Sequence, residues 1–354
     1  MNKDFFTKEY TNSVKGVAII LMVCLHLLQE RWMPDSSMII DYRLNGVPLS
    51  SIIAYACDSC IGIFAFITGY GWATSFEKKK VLGRIGPLYQ TYWIVLVLFA
   101  LPARILSSMI NSEPITIDAG DILLSVVGIR SASVMFQWYI FFFACAVLTF
   151  KPLWSLTKRI RLKDYQKILL FIVVSIFPRF ILSVAYRYVM IPGIIRDEIS
   201  HYISWMPVIL IGAVVKESKV LERVDELINK RSNDRLKLIG CILFPVGCIV
   251  VKALIQHVSG ITTNIDAIFI LPFMYSTIYV IRRAYGRLAE KSLRYLGGVS
   301  IYIWLMHRVF LYNPLRMWTL RLRLPVLIIC AAITMLIPFA IILKYIDHRL
   351  TKFL

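Results

Sequence analysis

Acidic side chains are scarce in this sequence: 21 Asp and Glu stand against 40 Lys and Arg, and only 17% of the 354 residues are charged. Long polar stretches are missing as well. No loop has the length of a separate folded domain, and there is neither an internal repeat nor a Gly-Ser linker. The largest loop, about 217–236, alternates acid and base (Glu222, Arg223, Asp225, Glu226, Lys230, Arg231) and reads as a short solvated helix. An appended soluble enzyme is therefore excluded, and residues 1–354 are expected to form a single domain. Cysteine is sparse and odd in number, at seven. Cys57-Asp58-Ser59-Cys60 has a redox or metal spacing, but without a second pair it reads as small packing residues, and no metal is expected. No cleavable signal peptide is expected either, because the first apolar segment lacks a small-residue cleavage site.

What fills the chain is hydrophobic: 58% of the residues, with a mean hydropathy of +0.69. That places it with polytopic membrane proteins. Stretches near 14–29, 51–76, 88–110, 133–150, 166–189, 201–216, 237–257, 265–281, 295–313 and 325–346 have the length and character of membrane spans. The fold class expected is thus all-α, a bundle of about ten transmembrane helices. Gly120 to Arg130 reads as an interfacial or re-entrant helix.

A strong basic excess can signal nucleic-acid binding, but here its placement argues for topology. The N-terminus and alternate loops carry 28 of the 40 basic residues. They include Lys3, Lys8 and Lys15, the run Lys78 to Arg84, then Lys151 to Lys167, Lys216 to Lys237, Arg282 to Arg294, and Lys344 to Lys352. The positive-inside rule then sets both termini in the cytoplasm. No nucleic-acid partner is needed to explain the charge.

The first span, Ser13 to Leu28, begins with a cation and holds a histidine eleven residues on. At ~100° per residue the two fall within about 20° of one face, and at ~1.5 Å rise they are roughly 16 Å apart. Ala18, Met22 and Gln29 share that stripe. Lys15 by itself is explained as an anchor at the headgroups, and His26 as an interhelical hydrogen-bonding group. Together they mark a polar interior, because ionisable groups in a bilayer normally face protein or water. By the same rise, His26, Trp138 and His307 all lie about 16–18 Å from the inner ends of their spans. Ser300, Trp304 and His307 line one face of the ninth. Further out come Asp58, Arg104, Arg179, Lys252 and Asp266. Charges at that depth need partners, which could be Asp58 with Arg104 and Asp266 with Lys252, and five of them suggest a hydrated outer cavity.

In the second span, Phe64-Ala65-Phe66-Ile67-Thr68-Gly69-Tyr70-Gly71 combines aromatic and small residues, suited to a close approach by a ligand or by another helix. The basic run ending in Lys80 and Arg84 can hold phosphates or simply mark topology.

These elements resemble acyltransferase family 3. Lys15 and His26 resemble that family's first-helix pattern of a basic residue followed by histidine. Phe64 to Gly71 resembles its Phe-Phe-x-x-Ser-Gly-Phe/Tyr motif, with Thr68 in the serine position. Gln137-Trp138-Tyr139-Ile140 resembles its fourth-helix element, and Met206 to Gly212 its Pro-x-x-x-x-Gly segment. Tyr295 to His307 resembles its closing Leu-Gly-x-x-Ser…Tyr-Leu-x-His element. Two positions depart from the pattern: lysine replaces the common arginine at 15, and the usual paired arginines shrink to Arg84 with lysines nearby. Lysine lacks arginine's bidentate fork.

The resemblance implies transfer of an acyl group, usually acetyl, from cytoplasmic acetyl-CoA to a hydroxyl of a lipid-linked or polymeric surface carbohydrate. It implies a multi-pass protein of the cell membrane, with lipids, acyl-CoA and carbohydrate as its partners. Carried onto this chain, His26 is the catalytic base, and Lys15, on the same helix face near the inner mouth, joins it in the catalytic set. Lys15, Lys80, Arg84, Thr68, Gly69 and Tyr70 bind the donor. Trp138, His307, Ser300, Asp58, Arg104 and Arg179 contact the acceptor sugar. The competing readings are a glycolipid transporter or flippase and an acyltransferase for a small-molecule acceptor.

Overall fold

The computed structural model describes residues 5–29, 38–78, 80–111, 119–129, 137–185, 193–230, 233–259, 265–311 and 318–351. Among them the chain is almost wholly α-helical. The exceptions are a two-residue hairpin pairing Arg43–Leu44 with Val47–Pro48, a 3-10 turn at Phe76–Lys78 and a π-helical turn at Leu96–Ala100. The hairpin turn is Asn45-Gly46, both with positive φ (52° and 83°), as a tight two-residue hairpin turn requires.

The helices, in order, are α1 (Lys8–Leu28), α2 (Leu49–Ala56), α3 (Ser59–Ser75), α4 (Leu82–Val95), α5 (Leu101–Asn111), α6 (Ala119–Val127), α7 (Trp138–Arg159) and α8 (Asp164–Ala185). They continue with α9 (Gly193–Ser218), α10 (Val220–Asn229), α11 (Asp234–Ser259), α12 (Asp266–Arg283), α13 (Leu288–Gly298), α14 (Ser300–Leu311) and α15 (Pro325–Leu350). Seven of the described helical stretches are long and apolar enough to cross a membrane: 8–28, 49–78, 82–106, 138–159, 195–218, 234–258 and 325–350. The other three expected spans also fall on helices, α8, α12 and α13–α14. α12 carries Asp266, Arg282 and Arg283 at its ends, and α14 is only 12 residues long. The chain is an all-α polytopic membrane protein.

Loops assigned by charge to one side do meet. Ion pairs join Lys151 to Glu77 (3.4 Å), Lys158 to Glu217 (3.1 Å), Arg282 to Asp225 (3.6 Å) and Arg283 to Asp234 (2.8 Å). Every one of these residues belongs to the basic set of loops. In a bundle they can gather only if the intervening helices cross in alternation.

The centre of the bundle is α1, α3 and α9, whereas α11 and α15 turn most of their surface outward. Glycines set the closest contacts. A Cβ on Gly69 would lie 1.7 Å from the Ile209 carbonyl oxygen, and one on Gly212 would lie 2.2 Å from that of Phe66. The α3–α9 pair therefore approaches backbone to backbone, as small residues permit in membranes. The same device joins α1 to α13, where Gly16 faces the Leu293 carbonyl and Gly297 that of Asn12. The buried Ser13 hydroxyl adds a 2.8 Å bond to Glu290.

Two expected spans are interrupted. The second breaks at Cys57-Asp58, between α2 and α3, and the ninth breaks at Val299, between α13 and α14. The region 120–130 forms α6, which ends in a Schellman turn: Gly128 has φ 82°, and the Ile129 N–H donates to the Leu124 carbonyl. Three α4 side chains take up carbonyls at that helix end. Tyr89 donates to Val127 (2.6 Å), Trp93 to Val126 (2.9 Å), and Tyr92 to Ser125. Tyr92 is ten residues into α4, about 15 Å from its start, so the end of α6 packs alongside the second half of α4, with Ile122 and Leu123 turned outward.

Candidate active site

α1 starts at Lys8, six residues earlier than the expected span, and ends at Leu28, so His26 falls in its last turn. A cavity of about 460 Å³ runs along its polar stripe, lined at one end by Lys15, Ser300, Tyr302 and Asp347 and at the other by His26, Cys60, Trp138 and His307. Thr68 and Arg84 also line it. Residues separated by more than 300 positions thus share one chamber. The His26 and His307 rings are 4.7 Å apart, centroid to centroid.

The His307 environment fixes its chemistry. The ring is 2% exposed, and its Nδ1 bonds the Trp304 carbonyl one turn back. A carbonyl can only accept, so Nδ1 carries the proton, and a neutral ring then presents a lone pair at Nε2. That Nε2 is buried and has no hydrogen-bond partner. His307 can therefore receive a hydrogen bond in the chamber, whereas its one N–H is already committed.

The start of α7 is tied to the same carbonyl. Gln137 donates to Trp304 (3.5 Å) and Leu305 (3.4 Å). Tyr139 meets the Trp304 ring edge-on at 5.3 Å, and Trp138 stacks on His201 at 3.9 Å. Gln137, Trp138 and Tyr139 all line the chamber.

At the other end, Lys15 makes no hydrogen bond or ion pair among the described residues. Arg84 is more occupied. Its Nη2 donates to the Ser75 (2.5 Å) and Phe76 (2.9 Å) carbonyls, and its guanidinium lies 4.7 Å over the Phe76 ring. It satisfies the end of α3, where helix carbonyls lack intrahelical partners. The Asp347 carboxylate receives Tyr302 Oη (3.0 Å) and Gln90 Nε2 (3.1 Å).

Several residues singled out from sequence sit elsewhere. Lys80 is exposed and outside the chamber. Gly69 serves the α3–α9 contact, and Tyr70 is buried against Phe6 at 4.9 Å, beneath the Lys216 ammonium. Thr68 lines the chamber, but its hydroxyl donates to the Phe64 carbonyl of its own helix (2.8 Å). Asp58 does not pair with Arg104. It bonds Lys252, which also takes Asp266 at 2.6 Å, so one buried ammonium serves two carboxylates. Ser59 completes the group with a 2.5 Å bond to Asp266. The cluster is tightly packed on its Lys252–Asp266 side, where the void is only about 10 Å³ and the hydrated cavity expected from these charges is not found, while the Asp58 side chain keeps 32% of its surface exposed. Its charges are neutralised by packing helices α3, α11 and α12 together. Arg104 lies on α5, away from the chamber. Arg179 belongs to α8, and its side chain lies outside the described residues.

Arg308 is absent from the set drawn from sequence. It lines the chamber beside His307, 6% exposed, and its charge acts on both imidazoles. The rule that picked out His307, an ionisable group inside a span, points equally to it.

A profile of the acyltransferase domain of acyltransferase family 3 matches residues 8–345, nearly the whole chain. No curated protein and no solved structure gives a significant match. The match includes every residue that lines the chamber except Asp347. The chain belongs to acyltransferase family 3 and is a membrane acyltransferase.

Proposed function

We propose that the chain moves an acetyl group from cytoplasmic acetyl-CoA to a hydroxyl of a lipid-linked or polymeric surface carbohydrate. One observation carries the reading: two imidazoles 4.7 Å apart share one chamber with the uncommitted cation Lys15, which lies toward its other end. Such a shape suits a donor with a phosphate-bearing head and a thin arm ending in the thioester. Lys15 meets the phosphates or the pantetheine end, with Arg84 beside it.

A hydroxyl is a weak nucleophile near neutral pH and needs a base within hydrogen-bond reach. Imidazole suits that task, with an ordinary pKa of ~6.5. His26 is the base, taking the proton as the sugar oxygen attacks the thioester carbonyl. His307, whose Nε2 only accepts, orients the hydroxyl or the His26 ring. Trp138 and Ser300 shape the pocket around the sugar. The donor enters from the cytoplasmic side of the cell membrane and the sugar from the opposite side.

Membranes containing the protein, incubated with radiolabelled acetyl-CoA, should transfer label into polysaccharide or its lipid-linked precursor. His26→Ala should abolish transfer while the protein remains folded and membrane-inserted. Near-normal labelling by that variant would remove His26 from the mechanism. Donor hydrolysis without glycan labelling would favour a small-molecule acceptor, and no donor use at all would favour glycolipid transport.

A further inference from the structure

Acyl transfer through a tetrahedral intermediate needs donors for the oxyanion that forms on the thioester oxygen, and such donors are often the largest single contribution to the rate. His307 cannot serve, because its N–H is held by Trp304. The Thr68 hydroxyl is spent on Phe64 and the Gln137 amide on Trp304 and Leu305. The first turn of α7 offers backbone N–H donors that are not spent in this way.

Building on the acyl-transfer reading above, we propose that the N-terminus of α7, through the backbone N–H groups of Trp138 and Tyr139, is the oxyanion site for the thioester carbonyl, with the Arg308 guanidinium alongside.

Three features of the structure support this. α7 is a 22-residue helix whose N-cap, Gln137, makes no side-chain capping bond. The Ile140 N–H bonds back to the Gln137 carbonyl, whereas those of Trp138 and Tyr139 find no partner among the described residues. A helix start of this kind presents about half a positive charge together with aimed N–H donors. Its first residues, Trp138 and Tyr139, with the cap Gln137, line the chamber that holds both imidazoles. Independently of the helix, the unpartnered and 98%-buried side of the same space is His307 Nε2, an acceptor waiting for a donor. A hydroxyl satisfies the imidazoles and a carbonyl oxygen satisfies α7, which are the two halves of the reacting pair. The Trp304 carbonyl binds both His307 Nδ1 and Gln137 Nε2, so it fixes the two halves relative to one another. Arg308 lies in the same wall. A guanidinium has five N–H donors, so contacts it already makes leave others available.

The step balances as follows. The sugar O–H proton passes to His26, the new O–C bond forms, and the carbonyl π pair moves onto oxygen, facing the Trp138 and Tyr139 amides. Collapse restores the carbonyl and breaks the C–S bond, and the departing thiolate takes the proton from His26.

The test compares Trp138→Ala with Trp138→Pro in purified full-length enzyme, using acetyl-CoA and the accepted glycan. Both lose the indole, and only proline loses the N–H. Proline is accepted at the first position of a helix, so folding should survive. The expected result is a kcat for the proline variant 10²–10³-fold below that of the alanine variant, as for loss of one oxyanion donor, with KM for acetyl-CoA little changed. Equal kcat values would overturn the proposal. If the proline variant does not fold, Gln137→Asp and Gln137→Asn decide. Both cap the helix, and aspartate should stabilise it at least as well. The aspartate variant should nevertheless be at least tenfold slower, because its carboxylate repels the oxyanion. Equal rates, or a faster aspartate variant, would refute the assignment. Absence of acetyl-CoA turnover in the wild type would instead count against the acyl-transfer reading itself.

Discussion

Gly69 and Gly71 lie two residues apart on α3, yet the structure gives alanine at the two positions opposite consequences. At Gly69 an added Cβ would sit 1.7 Å from the Ile209 carbonyl oxygen and 2.6 Å from its carbon. The obstacle is backbone, so no side chain can rotate away, and α3 and α9 must separate by more than an ångström. Overpacking of this kind costs about 1–3 kcal/mol where a core can adjust, and two helix backbones in contact have little room to do so. At Gly71 nothing lies within 4 Å, so alanine there gains about 1 kcal/mol of helix propensity. Thermal unfolding of the purified protein in detergent measures both. Gly69→Ala should lower Tm by several degrees, and Gly71→Ala should leave it unchanged or raise it. The effect should reach the chamber, since α3 also carries Cys60, Ile61, Phe64 and Thr68. A Gly69→Ala protein as stable and active as wild type would mean that the α3–α9 contact is not as described.

Lys252→Met should destabilise by about 3–5 kcal/mol, the range for breaking a buried ion pair, because Asp58 and Asp266 would lose their shared counter-charge; detergent melting curves test this, and an unchanged Tm would refute it. Lys15→Ala should raise the KM for acetyl-CoA with little loss of Tm, since that ammonium holds no protein group. Arg84→Ala should instead lower Tm, by about 1–3 kcal/mol in stability, because the Ser75 and Phe76 carbonyls lose their donor; paired kinetics and melting separate the two cations.

The parts of the site that were legible in the sequence share one property: each is an ionisable or aromatic group at a depth where water is scarce. Helical rise alone brought His26, Trp138 and His307 to one level, and the structure places all three in one chamber. The same counting could not resolve pairs. Asp58 and Asp266 compete for a single lysine, and only the crossing of α3, α11 and α12 decides that both win. Gly69 and Tyr70 belong to a motif that reads equally as ligand contact or helix contact, and the distance to Ile209 shows the helix contact at Gly69. Arg308 was open to the depth rule, being a charge well inside the ninth span. The orphaned N–H groups of α7 were not legible at all, because a helix start inside a bundle is set by where the preceding segment turns. Hydropathy blurs that point: the fourth span looked as if it began near 133, and the helix begins at Trp138.

The central claim is that the thioester reaches the imidazole pair through the chamber lined by Lys15. An electron cryomicroscopy structure with a thioether analogue of acetyl-CoA tests it most directly. The account predicts the nucleotide end near Lys15 and the acyl carbonyl within hydrogen-bond distance of the His26–His307 pair and the first turn of α7. Density for the analogue on another face, with the chamber filled by side chains or lipid, would contradict it.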